Sequence, residues 1–187
     1  MKEKEIDYFT ALYNVARVIN ASLDPPLILG EIVRCVVSAL QLKAAGIRLL
    51  DTKGKKLFLG ASCGLSDHYL QKGPVLVEES GLDKSALLGK TLWLKDVRTD
   101  KNFQYRDKAK EEGIKSVLVL PLSLESKVIG VLRVYSDKVR KFNAQEIKFL
   151  EAVANLSAIA LDNARLHQKL QLNCDLMAAH KYRIDDN

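Results

Sequence analysis

The side chains of this 187-residue chain best suited to redox or metal chemistry are three cysteines and three histidines. Cys35, Cys63 and Cys174 form no CxxC pair, and their number is odd. That argues against a disulfide framework or a zinc site, and for a reducing compartment. Cys35 lies in the apolar run 32–37 and reads as a small buried hydrophobe. His68, His167 and His180 are scattered, and none has a second ligand at metal spacing. There is no Ser/His/Asp arrangement, no pair of catalytic carboxylates and no GxxxxGK phosphate loop. The chemistry to be expected is binding rather than bond-breaking.

Composition narrows the class further. Apolar residues make up 48% and charged residues 28%, a globular mix. With 10 Gly and 4 Pro, long structureless segments are disfavoured. No run approaches the ~18 apolar residues of a membrane span. The start, MKEKEIDYF, lacks the apolar h-region of a secretory signal. The expectation is one cytoplasmic domain with extra helix at its ends and no membrane contact. Lys plus Arg is 29 and Asp plus Glu is 23, a formal +6. The most basic stretch, 127–148, has six basic and two acidic side chains, yet no block of five like charges occurs. Interspersed signs read as a solvated surface and argue against nucleic-acid binding.

The elements that must position any site follow from periodicity. Ile6, Phe9, Tyr13 and Ala16 predict an amphipathic helix over 5–20. Asp24-Pro25 opens a second, with Asp24 as N-cap and Leu27, Ile28, Ile32, Val36 and Leu40 on its apolar face. Residues 46–51 and 56–63 read as a β-hairpin around a turn at 52–55. Ser66 is placed to cap a short helix carrying Tyr69. The middle, 73–115, is the least regular part: a short segment at 74–77, a helix near 81–88, a strand at 91–94, a polar loop at 96–102 and a helix at 105–112 stopped by Gly113. Strands 116–123 and 127–136, joined by a tight turn, must pair antiparallel. Pro121 suggests an edge or bulge at its strand's end.

The last element has a helix-start signature. Asn143 is the N-cap, Glu146 stands at N3 to close a capping box, and Phe142 and Ile147 can form a hydrophobic staple. No Pro or Gly follows, so the helix is expected to reach about residue 178. Phe149, Leu156, Asn163, Leu170 and Met177 recur at seven-residue intervals, with Ala152, Ile159, Leu166 and Asn173 three positions later. This is an a/d seam with a polar a-position residue, Asn163. A helix of about 35 residues reaches roughly 50 Å, longer than a small domain can cover. A homodimer through Phe149, Leu156, Ile159, Asn163, Leu166 and Leu170 is the expectation.

Several segments, taken together, resemble a bacterial GAF domain: Trp93-Leu-Lys-Asp96-Val97, then Asp100-Lys-Asn-Phe103, then Ala109 to Val117, then Pro121-Leu122 with Lys127-Val-Ile-Gly130-Val-Leu132, and a closing helix that includes Ala158-Ile-Ala-Leu-Asp-Asn163-Ala-Arg-Leu166. The resemblance covers roughly residues 5–170. It implies an α+β fold, with a central antiparallel β-sheet, N- and C-terminal helices on one face and a ligand-pocket cap on the other. That gives an N-terminal helix over 1–22, a GAF core over 23–166 and a helical extension over 167–187. The resemblance also implies a sensory or regulatory module that binds a small molecule and acts on a signalling output domain or partner protein. The pocket candidates are Tyr69, Trp93, Asp96, Phe103, Tyr105, Ser116 and Arg133, as apolar walls with a few polar anchors. Arg133, mid-strand, must face solvent, a partner or a ligand, because burial without pairing is costly.

Known ligands of the family fit poorly, and no cofactor is named. The cyclic-nucleotide motif of one subgroup is matched only by Lys138, Phe142 and one acid, and Phe142 and Glu146 are already explained by the helix start. Bilin attachment or haem ligation would fall to Cys63 or His68 alone. A GAF enzyme that reduces free methionine sulfoxide needs an attacking and a resolving thiol together, and only Cys63 lies near the pocket. The alternatives to a sensor are therefore a pure dimerisation module without ligand and, further off, a reductase.

Overall fold

The computed structural model describes residues 6–100 and 103–185. Residue 5, expected in the first helix, and residues 101 and 102, expected in the polar loop, lie outside them. The helices are α1 (Tyr8–Ala21), α2 (Pro25–Leu40), α3 (Asp67–Leu70), α4 (Gly81–Ala86), α5 (Arg106–Glu111) and α6 (Ala144–Asp185). The strands are β1 (Ala44–Leu50), β2 (Lys56–Cys63), β3 (Val75–Leu76), β4 (Leu92–Leu94), β5 (Ser116–Leu124) and β6 (Lys127–Ser136). They form one antiparallel sheet in the order β3-β2-β1-β6-β5-β4. The fold class is the expected α+β arrangement.

Strand alternation divides the interior into two layers. Ala45 and Ile47 of β1, Leu118 and Leu120 of β5, and Leu132 and Val134 of β6 face α1, α2 and α6 in one cluster. Ala44, Val117, Val119, Val131 and Tyr135 face the other way, under α3, α4, α5 and their loops. Arg48 and Arg133 fall in the second register, so two arginines project toward the cap from the central strands.

The two long helix starts differ in how they are capped. At α6 the box closes: Asn143 Oδ1 accepts from Glu146 N at 2.9 Å, and Glu146 Oε2 accepts from Asn143 N at 2.8 Å. Glu146 also pairs with Arg140. At α2, Asp24 holds the N-cap position but its carboxylate caps nothing. Pro25 and Pro26 occupy the first two helical positions and have no N–H to donate, which leaves only the Leu27 amide within reach of an N-cap side chain. Pro121 is tolerated because β4 pairs only with Val117 to Val119. That flank of β5 is an edge at Pro121, and a register shift follows at Leu122/Ser123.

The final helix is longer than expected, 42 residues, or roughly 63 Å at 1.5 Å per residue. Its last buried residue is Ala164, and residues 165–178 are all exposed. Among the described residues no helix is long and apolar enough to cross a membrane.

Candidate functional site

Arg133 sits at the centre of the cap-facing side of β6, with 2% of its surface exposed. A buried guanidinium requires an acceptor, and α4 supplies one. Arg133 Nη2 donates to Asp83 Oδ2 at 2.6 Å, and Asp83 is fully buried. Ser80, the N-cap of α4, donates its hydroxyl to the same oxygen. Burial works against the charge on Arg133. The Asp83 carboxylate, with Tyr135 and Tyr69, outweighs it and holds the group above its ordinary range.

Around this pair stand two more buried basic side chains. Arg48, 2% exposed, donates from Nη1 to the Leu57 carbonyl at 3.3 Å. Lys72, 9% exposed, follows α3 and lies over the ring of Tyr69, its Nζ 3.4 Å from the ring centroid and 4.9 Å from that of Tyr105. Aromatic faces favour an ammonium. Burial first, then the Arg133 and Arg48 charges, work harder against it and push the amine down to about 5. Tyr69 meets Tyr135 edge to face at 6.2 Å, and burial pushes its phenol above the ordinary range. The Arg133 guanidinium carbon lies 5.8 Å from the Phe103 ring centroid.

Several polar atoms here have no hydrogen-bond partner among the described residues: Lys72 Nζ, Tyr69 OH, Arg133 Nε and Asp83 Oδ1. Buried polar atoms in folded proteins are nearly always paired. Four orphans at the sheet–cap junction are therefore a concentration of binding potential.

Of the residues singled out from sequence, the structure brings four together here: Tyr69, Phe103, Tyr105 and Arg133. Tyr105 anchors the cap by donating its hydroxyl to the Pro74 carbonyl at 3.1 Å. Trp93 points to the helix layer, and its Nε1 donates to the Arg140 carbonyl at 3.1 Å. Asp96 lies in a turn, where its carboxylate takes both Nε and Nη2 of Arg98, at 2.8 and 2.6 Å. The Ser116 hydroxyl is used by the Lys138 carbonyl at 2.8 Å. Sequence reasoning missed Arg48, Lys72 and Asp83. Only Arg48 carried a signal, the same mid-strand position between apolar neighbours that drew notice to Arg133.

The thiols stand elsewhere. Cys35 of α2 and Cys63 of β2 pack against the helix-side cluster, and Cys174 is exposed on α6. Burial pushes the Cys35 thiol up, away from nucleophilic character. Among the described residues no group of three His, Cys, Asp or Glu side chains is arranged to hold a metal.

The seam expected on α6 is split by the domain. Phe149 is buried in the core, its ring 5.7 Å from that of Tyr8, so it belongs to the fold and not to an outer face. Leu156 is half-buried against the same cluster. Ile159, Asn163, Leu166 and Leu170 are exposed.

Comparison with known proteins agrees with the layered sheet. The chain is 23% identical over 180 residues to a Nif-specific regulatory protein of Azorhizobium caulinodans, covering 93% of this chain and 29% of that protein. It is 23% identical over 177 residues to a formate hydrogenlyase transcriptional activator of Salmonella typhimurium, covering 89% and 25%. The chain thus spans less than a third of either regulator. Among solved structures, the GAF domain of a Coxiella burnetii phosphoenolpyruvate-protein phosphotransferase superposes with a TM-score of 0.78 at 19% identity, over 87% of this chain and 97% of that one. A free methionine-R-sulfoxide reductase from Neisseria meningitidis, solved with its substrate, gives 0.72 at 20% identity over 86% and 91%. These likenesses show the fold. The family model described as "GAF domain" matches residues 22–162, most of the chain, and the chain belongs to the GAF domain family.

Proposed function

We propose that this chain is a non-catalytic sensory module of a cytoplasmic signalling protein. It binds a small molecule between sheet and cap, pairs with a second copy through its terminal helices, and acts on an output domain or partner protein. The observation that carries the reading is the cluster of buried, unpartnered polar atoms on the cap side of the sheet, walled by Tyr69, Phe103 and Tyr105. Apolar and aromatic walls with a few convergent polar groups are the usual make-up of a small-molecule site.

The pairing rests on α6. Fourteen residues beyond Ala164 are exposed, and they carry Leu166, Leu170, Leu172, Leu176 and Met177. A helix gains most of its stability from packing an apolar face, and this stretch packs against none of the described residues of the domain. The similar regulatory protein and transcriptional activator, both far longer than this chain, support an attached output. The likeness to a reductase structure favours a second reading, but Cys35 and Cys63 lie on the helix side of the sheet, away from the cap.

Native mass spectrometry of freshly purified protein tests the proposal. The expected spectrum is a dimer carrying a small-molecule adduct. A dimer without adduct, and without a thermal shift above about 1 °C across a ligand library, would favour a pure interaction module. Methionine sulfoxide reduction lost in Cys63→Ala would favour the reductase.

A further inference from the structure

We propose that the cap-side cluster is a carboxylate site, in which Arg48, Lys72 and Arg133 hold the anionic end of a small organic acid. The proposal deepens the sensory reading above and rests on it. The argument is one of charge and donor inventory. Three basic side chains from three separate segments, β1, the turn after α3 and β6, are each nine-tenths or more buried and converge on one region. Among the described residues, Asp83 is the fully buried carboxylate that pairs with them, through Arg133. Buried basic groups are completed by anions or acceptors, and with Arg133 held by Asp83 and Arg48 by one carbonyl, the donors left over call for a further anion.

The hydrogen-bond inventory gives the same sign. Arg133 commits Nη2 to Asp83 and leaves Nε without a partner, while Lys72 Nζ and Tyr69 OH are unpartnered donors. A guanidinium presents a planar fork that two carboxylate oxygens match. Asp83 already demonstrates the fit, since Arg133 donates to its carboxylate at 2.6 Å from this side. The orphan acceptor, Asp83 Oδ1, suits a hydroxyl or amino group elsewhere on the same ligand. The aromatic rings suit a short carbon body.

Isothermal titration and thermal shift of the whole chain test this with sodium acetate, sodium succinate and sodium phosphate. Acetamide and succinamide serve as neutral controls, and sodium chloride matches ionic strength. The expected result is saturable binding of at least one carboxylate, at least tenfold weaker for its amide. Lys72→Met and Arg48→Gln should each weaken it at least tenfold while circular dichroism stays unchanged. Should either variant fail to fold, the paired change Arg133→Met with Asp83→Leu, which removes both charges together, should abolish carboxylate binding in a folded protein. Equal binding of acid and amide, or affinity unchanged in the folded variants, would overturn the proposal. Binding of phosphate alone would overturn the carboxylate assignment. A neutral adduct in native mass spectra without carboxylate binding would overturn the proposal and leave the sensory reading standing. No adduct and no binding of any library compound would sink both.

Discussion

Arg133 and Asp83, fifty positions apart in sequence, meet as an ion pair of 2.6 Å in which both side chains are withdrawn from water. One stands on the central strand β6 and the other on the short cap helix α4. The pair therefore fastens the cap to the sheet at the point where the unpartnered donors converge.

Breaking it from one side should be costly. Asp83→Asn leaves a buried guanidinium without its counter-charge, and a loss of about 3–5 kcal/mol is expected. For a chain of this length that is a Tm fall of roughly 6–20 °C. The paired change Arg133→Met with Asp83→Leu should recover stability to within about 2 kcal/mol of the parent, because charge and counter-charge leave together. Urea unfolding of the two proteins measures the difference, and equal losses would mean that the pair contributes through packing alone.

Lys72 should make stability depend on pH. Its ordinary value is 10.5, and burial beside Arg133 and Arg48 pushes it down to about 5 in the folded chain. Asp83 pulls the other way, Lys108 of α5 adds to the lowering, and Tyr69 and Tyr105 supply the rings over which the amine lies. Between those two values the unfolded chain binds more protons than the folded one, so stability rises with pH across the window. The penalty is full below about 5 and absent above the ordinary lysine value. Lys72→Met should flatten this slope and stabilise the protein most at the acid end. Unfolding free energies at pH 6, 7.5 and 9 check it, and a slope unchanged in the variant would assign the pH dependence to other groups.

On the proposed dimer, Leu166→Lys and Leu170→Lys should halve the native mass and leave the unfolding transition of the domain in place, since both side chains stand beyond the packed part of α6. Leu156→Lys should instead lower stability, because Leu156 packs against the helix-side core. Sedimentation at matched concentrations reads the first effect and thermal melts the second. A dimer that survives both exposed substitutions would place the contact elsewhere, for instance at Phe9 and Tyr13, which α1 leaves exposed.

What was legible in the sequence is what short-range physics controls. The start of α6 was readable because Asn143 and Glu146 bond to each other's backbone within one turn. The antiparallel pair β5–β6 was readable from a turn too short for any other arrangement. Arg133 stood out because a mid-strand arginine between apolar neighbours needs an explanation wherever it lies. The order of these elements was enough to bring the family into view.

The tertiary structure alone decided which face each candidate took and what completed it. Trp93, Asp96 and Ser116 lie close in sequence to true cap residues, yet each spends its polar atoms on local partners. Arg48, Lys72 and Asp83 sit on three segments with no common spacing; the β1–β6 pairing brings Arg48 beside Arg133, and the curl of the cap over the sheet brings Lys72 and Asp83. A charge's meaning depends on burial and on what it faces, and both are fixed by contacts between distant segments. The sequence by itself determined the elements, their order and the family. Packing decided that four of its many ionisable side chains, Arg48, Lys72, Asp83 and Arg133, would be taken out of water together.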